Sequence, residues 1–367
     1  MSKFKYLFAS IFLFVLTNTS FAQKNKLEVI GYYAGPAERV DSFPIEKLTE
    51  IIFSFAHLKD NQLYISEGGE ATLKKLVSLK SRNPQLKVII SLGGWGGCKT
   101  CSDIFSTDEN RKAFAISVKK VNESFGTDGI DLDWEYPAIE GYPSHPFKPE
   151  DKPNFTKLVK ILRQTLGKKY EISFAAGGFE DYIDSSIEWK KVMKYVDRVN
   201  LMSYDLVNGY ATITGHHTPL YSTPQQVEST DNGVKKMIEL GVPANKIAIG
   251  AAFYARIWEN VPDTAFGLYQ PGKFKMGVPY NHFEKELSPE NGFIYHWDSV
   301  AQAPYMYNPR RKLFATFDDK KSIELKTKYA IDKGLNGIMF WQLGEDKFTD
   351  GLLDEIDKAK KANYSAR

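Results

Sequence analysis

Eight short apolar runs, separated by helix-like stretches, constrain the fold of this chain more than any other feature. The runs are rich in β-branched residues and lie at 28–33, 51–56, 87–92, 129–134, 171–176, 198–204, 246–253 and 337–341. Helical periodicity marks stretches between them at 70–81, 110–125, 154–166, 230–240 and 322–333. Strands that alternate with helices favour a parallel sheet, and eight such units are typical of a closed (β/α)8 barrel. The sequence therefore predicts an α/β protein built on one TIM barrel.

One interval is much longer than the others. The first seven runs follow one another at roughly 25 to 45 residues, whereas about 90 separate the seventh from the eighth. The surplus, residues 262–312, is rich in Tyr, Phe, Gly and Pro. It predicts a small α+β insertion between strand seven and helix seven, at the end of the barrel where loops carry function. We expect the barrel to occupy residues 23–367, interrupted by this insertion.

Residues 1–22 have the pattern of a signal peptide. Lys3 and Lys5 precede an apolar run at 6–16, and Ser20 and Ala22 are small residues at the two positions that a signal peptidase reads. The run is too short to span about 30 Å of hydrocarbon. We predict cleavage after Ala22 and a soluble mature chain, secreted or periplasmic and free of the membrane. An uncleaved membrane anchor is the alternative.

The overall composition excludes one class of partner and suggests another. Lys+Arg 48 against Asp+Glu 45 leaves a formal charge of +3 without a basic stripe, so no nucleic acid is expected. The chain also has 20 Tyr, 24 Phe and 6 Trp. Aromatic residues beyond the needs of a core often line sites for sugar-like faces, although a large core would also account for them. We expect a monomer that needs no cofactor.

The only two cysteines form the sequence Cys98-Lys-Thr-Cys101. In a cytosolic protein this spacing would suggest a redox pair, and two thiols alone cannot complete a tetrahedral zinc site. In an exported chain a local disulfide is favoured. Because so short a loop gains little stability from closure, its expected role is to fix the shape of the loop.

The fourth run carries acidic residues at every second position. Side chains alternate along a strand, so Asp131, Asp133 and Glu135 share one face, and that face is directed at the barrel axis. Like charges about 6 to 7 Å apart in a poorly solvated interior cannot all stay ionised, so at least one pKa should rise, as a general acid requires. The alternatives are a surface acidic strand and a divalent-metal site. Since no His joins the run, we predict no metal.

This run resembles the D-x-x-D-x-D-x-E signature of glycoside hydrolase family 18, the chitinase family, at Asp128, Asp131, Asp133 and Glu135. Four more segments resemble family motifs in the expected strand order: S-L-G-G-W at 91–95, M-S-Y-D at 202–205, F-Y-A-R at 253–256 and F-W at 340–341. Each motif alone is weak, but their order on successive strands is specific. The chain departs from the family pattern at Ala255, where Gly is usual, and after Trp95, where Gly96, Gly97 and Cys98 follow in place of bulky or amide residues.

The resemblance implies hydrolysis of β-1,4 bonds between N-acetylglucosamine units of chitin or chitooligosaccharides. Glu135 is the implied acid and base, and Asp133 the partner that binds the substrate's acetamido N–H. Asp131 tunes Asp133, while Tyr204 with Asp205 holds the acetamido group. The resemblance also implies substrate-binding positions at Gly93, Gly94, Trp95, Gly96, Tyr136, Met202, Tyr210, Tyr254, Arg256 and Trp341, and less directly at Tyr32 and Phe55. Trp341 would be the floor under the sugar, and Trp95 and Tyr210 would stack on the leaving-group side. Core packing is the alternative role of each aromatic residue.

Asp131, Asp133 and Glu135 together form a ladder of carboxyl groups along one face of the strand, and this ladder also bears on the mechanism. A glycosidase with its own nucleophile needs two carboxyl groups about 5 to 5.5 Å apart on opposite sides of the sugar. Asp133 and Glu135 share one face of one strand and approach from the same side. We therefore expect a retaining, substrate-assisted reaction in which the 2-acetamido oxygen attacks and forms an oxazolinium ion.

Three other functions remain open at this point. An inactive chitin-binding lectin would typically lack the glutamate that stands at Glu135. An endo-β-N-acetylglucosaminidase acting on N-glycan chitobiose cores would generally lack the long insertion. A barrel without hydrolase activity would carry the acidic strand by coincidence. The sequence does not decide between endo and exo action.

Overall fold

The computed structural model describes residues 27–365. The predicted signal peptide, residues 1–22, lies outside the described residues. The strands of the described chain are β1 (Glu28–Tyr33), β2 (Glu50–Lys59), β3 (Gln62–Tyr64), β4 (Lys87–Gly93), β5 (Gly129–Asp133), β6 (Glu171–Gly177), β7 (Arg198–Met202), β8 (Ile247–Ala252), β9 (Tyr254–Glu259), β10 (Lys273–Pro279), β11 (Ile294–Asp298), β12 (Ala303–Asn308), β13 (Leu313–Thr316) and β14 (Gly337–Trp341). The helices are α1 (Glu67–Ser78), α2 (Cys101–Ile104), α3 (Asp108–Phe125), α4 (Asp151–Leu166), α5 (Glu180–Ser185), α6 (Trp189–Val192), α7 (Thr230–Glu239), α8 (Phe283–Glu286), α9 (Lys320–Asp332) and α10 (Leu352–Ser365).

Eight of these strands form the predicted closed parallel barrel. Their order is β1-β14-β8-β7-β6-β5-β4-β2, and β1 pairs with β2 to close the ring. Most residues of these strands are buried, because one face of each strand meets the helices and the other fills the barrel. The expected TIM barrel is confirmed. Within residues 27–365, no helix is both long and apolar enough to cross a bilayer.

Helix ends follow local sequence signals. The Thr107 side chain accepts a hydrogen bond from the Asn110 amide at the start of α3, and Gly126 ends the helix at φ +73°. At the start of α9, Asp319 and Ser322 form a reciprocal capping box. These caps satisfy amides that have no partner within the helix. They therefore fix where the chain turns back toward the next barrel strand.

A separate antiparallel sheet lies between β8 and α9, as expected for the insertion. Its five strands are ordered β10-β9-β13-β12-β11. The sheet begins at Tyr254 and ends at Thr316, so it extends beyond the expected range 262–312 at both ends. At the first end, β9 follows β8 after the single residue Phe253, so no loop separates the barrel strand from the first strand of this sheet.

A buried ion pair joins the end of the insertion to the barrel. The Asp318 carboxylate accepts hydrogen bonds from the Lys326 ammonium at 2.6 Å, the Thr218 hydroxyl at 3.2 Å and the Ala252 amide at 3.0 Å. Lys326 and Asp318 are fully buried. This network ties the last residue of β8 and the loop after β7 to helix α9, and both of those segments reach the candidate site.

Candidate active site

Asp131 lies at the centre of the barrel and is held by four strands. Its Oδ1 accepts hydrogen bonds from the Ser173 hydroxyl at 2.7 Å and the Asn200 amide at 3.1 Å. Its Oδ2 accepts from the Ser91 hydroxyl at 2.8 Å and the Tyr32 hydroxyl at 3.0 Å. Burial raises the pKa of Asp131, and the hydrogen bonds oppose that rise. The carboxyl is thus fixed in place at the base of the predicted ladder.

Asp133 is the next inward residue of β5 and carries an unsatisfied oxygen. It is buried, and its Oδ1 has no hydrogen-bond partner among the described residues. Burial raises its pKa well above the ordinary range, and the charges of Glu135 and Asp131 raise it further. An unpartnered buried oxygen is costly unless a ligand satisfies it. Asp133 is therefore suited to share a proton with Glu135 or to bind a polar group of a ligand.

Glu135 stands just beyond the end of β5 and remains partly exposed. Burial of its remaining surface raises its pKa to about 7, a hydrogen bond with Tyr136 partly opposes this, and the charge of Asp205 adds to it. A carboxyl with such a pKa has both its acid and its carboxylate form well populated at near-neutral pH. The group can therefore donate a proton and later accept one, as general acid–base catalysis requires.

Asp205 follows β7 and forms a bidentate ion pair. Its backbone has φ +56°, and its carboxylate accepts hydrogen bonds from Nε of Arg256 at 2.5 Å and from Nη2. Burial alone would raise its pKa, but His217 and Arg256 hold it well below the usual range. The Nδ1 atom of His217 lies 3.5 Å from Asp205, at the outer limit of a hydrogen bond, so Arg256 carries most of this effect. Asp205 is therefore ionised and firmly oriented.

Tyr204 presents an available hydroxyl inside the barrel. The side chain is largely buried, and the hydroxyl contacts Sδ of Met339 at 3.8 Å, which is a weak acceptor. Burial raises its pKa well above 10, and the nearby charges of Asp133 and Asp205 add to the rise. The phenol therefore stays neutral. It can donate a strong hydrogen bond to a ligand oxygen.

Aromatic side chains pack together across the barrel interior at the end of β14. Trp341, the last residue of β14, stacks on Phe55 with ring centroids 5.5 Å apart and an angle of 14°. The Tyr32 ring lies 6.0 Å from the same indole. One interior cluster contains the predicted residues Tyr32, Met202, Tyr204 and Tyr254, with Tyr136 and Trp341 packed against it. The structure thus brings these sequence-predicted residues together around the carboxyl ladder.

A glycine-rich turn brings the loop after β4 against Asp133. Gly93 has φ +109°, and a Cβ there would lie 2.3 Å from the Asp133 carbonyl oxygen. The Gly94 amide donates to that same oxygen at 2.9 Å. Only glycine permits this backbone and this approach. The loop continues through Trp95 and Gly96 to Cys98, which is joined to Cys101 by a disulfide.

Exposed rings lie next to this turn, at the rim of the barrel end where Glu135 stands. Trp95 is 47% exposed and Tyr210 is 64% exposed, and their centroids lie 6.4 Å apart. Trp95 also lies 6.5 Å from Tyr136, which follows Glu135. Large exposed rings close to a polar site are typical of ligand-contacting positions. The predicted leaving-group residues therefore lie together on the Glu135 side of the site.

Several site residues were not predicted from the sequence. They are partners of the predicted groups: Ser91, Ser173, Asn200, His217, Tyr142 and Met339. Only Ser91 had a signal in the sequence, because it opens the S-L-G-G-W motif at 91–95. Ser173 is in register with Asp131 on the neighbouring strand β6, which only the structure shows. Among residues 27–365, no group of three or more His, Cys, Asp or Glu side chains is arranged to hold a metal ion.

The family follows from the comparison with known proteins. Residues 28–346 match the family model described as Glycosyl hydrolases family 18. The chain belongs to glycoside hydrolase family 18. The predicted family resemblance is confirmed, and the (β/α)8 barrel is the fold of that family in this chain.

Named relatives of this family 18 protein are similar over most of its length. It is 34% identical to Chitinase A1 of Niallia circulans over 75% of this chain, but the match covers only 43% of that relative. Among solved structures, a glycoside hydrolase family 18 N-acetylglucosaminidase from Paenibacillus barengoltzii is 36% identical with a TM-score of 0.82, over 91% of this chain and 99% of the other. A chitinase from Bacillus thuringiensis is 27% identical with a TM-score of 0.86, over 92% and 70%.

Proposed function

We propose that this family 18 protein is a chitinase that hydrolyses β-1,4 bonds between N-acetylglucosamine units with retention of anomeric configuration. The observation that carries the proposal is the arrangement of Asp131, Asp133 and Glu135 on one barrel strand, with Tyr204 beside it. Glu135 has the pKa of a general acid, and Asp133 offers a buried oxygen without a partner. The chitinases among its relatives support the same substrate class.

The first step needs no nucleophile from the protein. Glu135 donates its proton to the glycosidic oxygen, and the bond from the anomeric carbon to that oxygen breaks. The carbonyl oxygen of the substrate's own acetamido group bonds to the anomeric carbon, which gives an oxazolinium ion. Asp133 accepts a hydrogen bond from the acetamido N–H, and the Tyr204 hydroxyl donates to the acetamido oxygen. Both groups thereby hold the attacking atom in position.

The second step reverses the role of Glu135. As a carboxylate it removes a proton from a water molecule, and the water oxygen bonds to the anomeric carbon. The bond between that carbon and the acetamido oxygen breaks, and the acetamido group is restored. Two displacements at one carbon give overall retention. The ion pair between Asp205 and Arg256 keeps the wall beside Tyr204 rigid during both steps.

The pH dependence follows from the pKa of Glu135. Because the acid form is needed for the first step and its pKa is about 7, kcat/KM is expected to fall tenfold per pH unit above that value. The rate falls as the pH rises, because Glu135 loses its proton above its pKa, and the raised pKa keeps the active, protonated form present to a higher pH than for an ordinary glutamate. The measurement is kcat/KM for chitopentaose between pH 5 and pH 9. A rate that stays constant up to pH 9 would contradict the assignment of Glu135.

The substrate class is tested by product analysis. Colloidal chitin should release reducing sugars, whereas a high-mannose glycoprotein should release no glycan. Glycan release would instead indicate an endo-β-N-acetylglucosaminidase, and binding of chitin without any release would indicate a lectin.

The resemblance to the Paenibacillus enzyme favours one further candidate, the removal of single N-acetylglucosamine units. The products from chitopentaose separate the two candidates. An N-acetylglucosaminidase releases monomer from the first turnover, whereas a chitinase releases dimers or longer products.

The proposed function also includes a location outside the cytoplasm and a monomeric state. The lysine-flanked apolar segment at 6–16 supports export, with cleavage after Ala22, and a neutral polysaccharide suits a protein with little net charge. We infer a monomer that acts outside the cytoplasm without a cofactor. The insertion, with its sheet between Tyr254 and Thr316, supplies one wall of the groove through Tyr254 and Arg256 at its first strand.

A further inference from the structure

Tyr142 is an exposed aromatic residue that the proposed reaction does not use. It is 37% exposed and lies in the loop between β5 and α4. Its ring meets Trp95 edge to face, with centroids 5.4 Å apart and an angle of 65°. Trp95 in turn lies 6.4 Å from Tyr210. Three exposed rings therefore form one continuous surface at the rim.

The backbone places this ring next to the acid. The Tyr142 amide donates to the carbonyl oxygen of Glu135 at 3.4 Å, and the His145 amide donates to the Tyr142 carbonyl at 3.0 Å. A Cβ on Gly141 would lie 2.2 Å from the same Glu135 oxygen, so the loop folds tightly back on Glu135. The His145 ring supports Tyr142 from another side at 4.7 Å. The position of Tyr142 is thus tied to that of Glu135.

The loop with the disulfide holds Trp95 against this ring. A Cβ on Gly96 would lie 3.1 Å from the Tyr142 ring, so a side chain there would displace it. The two loops are also joined away from the site, where the Lys148 ammonium donates to the Ser102 carbonyl at 2.7 Å. The Ser102 hydroxyl donates to Asp151 at 2.9 Å. Both loops are therefore fixed before any ligand binds, which lowers the cost of binding.

We propose that Tyr142 is a substrate-binding residue of the leaving-group side, where its ring extends the surface of Trp95 and Tyr210 under the sugar units beyond the cleaved bond. The proposal rests on the proposed function. Glu135 protonates the leaving group, so a ring anchored to the Glu135 backbone lies where the leaving sugars must pass. Apolar sugar faces fit an exposed aromatic ring, and Gly96 leaves the room that the ring needs.

The test compares a substrate that has sugars beyond the cleaved bond with one that has none there. Chitopentaose places sugars on the leaving-group side, whereas N,N′-diacetyl-β-chitobiosyl fluoride places a single fluorine atom there. For Tyr142→Ala, kcat/KM with chitopentaose should fall roughly 3- to 12-fold, the range of one aromatic contact. With the fluoride it should stay within about twofold. Tyr142→Phe keeps the ring and should resemble the wild type with both.

A matched control is Tyr221→Ala. Tyr221 is 38% exposed and meets Tyr329 edge to face, but Tyr329 belongs to the outer helix α9. This variant should leave both substrates unaffected. Equal losses with both substrates for Tyr142→Ala would show that Tyr142 only supports Glu135, and no loss with either would also overturn the proposal.

A binding measurement separates this proposal from the proposed function. In the Glu135→Gln variant, the Kd of chitopentaose is measured by adding the oligosaccharide and following the tryptophan fluorescence of the protein. Adding Tyr142→Ala should raise the Kd roughly 3- to 12-fold. An unchanged Kd would overturn the role of Tyr142. If the wild type cleaves neither substrate, the proposed function fails, while this titration still decides whether the ring binds sugar.

Discussion

Glu135→Gln is expected to lower kcat on chitopentaose by at least about 1,000-fold, because glutamine matches the size of the side chain but cannot donate or accept the proton. Asp133, the preceding carboxyl group on the same face, is buried deeper in the barrel. The pKa of about 7 shows that the protein environment already favours the protonated form, so a neutral amide should be accommodated. Activity is followed by reducing ends or by chromatography of the products.

The fold of this variant must be shown to be intact. Its melting temperature should match that of the wild type within a few degrees, since the substitution removes no packing and no ion pair. Glu140→Gln is the matched control, because Glu140 is an exposed glutamate in the loop that follows Glu135. It should keep wild-type activity. A Glu135→Gln enzyme with more than about a tenth of the wild-type kcat would refute the assignment of the acid.

Asp133→Asn is expected to lower kcat by roughly 100- to 1,000-fold, the cost of losing one group that stabilises developing charge. Asparagine keeps an oxygen that can accept the acetamido N–H, but it carries no negative charge and cannot share a proton with Glu135. The loss should therefore appear in kcat more than in KM. Steady-state kinetics on chitopentaose separate the two constants.

Asp128→Asn provides the comparison for this second variant. Asp128 belongs to the same acidic motif, but its carboxylate accepts a hydrogen bond from the Val88 amide at 2.7 Å and pairs with Lys80 at the opposite end of β5. Its substitution should lower stability by about 1 kcal/mol and leave kcat unchanged. If Asp128→Asn and Asp133→Asn lower kcat equally, the role assigned to Asp133 is wrong.

The barrel and its ladder were predictable because they follow from local patterns. The eight runs recur with helices between them, and alternation along β5 is sufficient to place Asp131, Asp133 and Glu135 on one face. The family motifs then pointed to Tyr204, Asp205 and Trp341 on other strands. For these residues the sequence carried a signal at each position, and the structure brings them together.

The features that were missed depend on contacts between distant segments. Asn200 and His217 contact Asp131 and Asp205 only through strand register and the return of the loop after β7, which a single sequence does not reveal. The start of the insertion's sheet at Tyr254 has no mark in the sequence either, since the single residue Phe253 separates β8 from β9. Tyr142 lies in an irregular loop without periodicity, so its contact with Trp95 was visible only in three dimensions.

In the proposed reaction the substrate's own acetamido group is the nucleophile. Partially acetylated chitosan tests it directly, because each cleavage creates a new reducing end from the sugar on the non-reducing side of the broken bond. Proton NMR of the products identifies that sugar. We expect the new reducing ends to be N-acetylglucosamine and fully deacetylated chitosan to remain uncleaved. New reducing ends that contain glucosamine in proportion to its content in the polymer would contradict it.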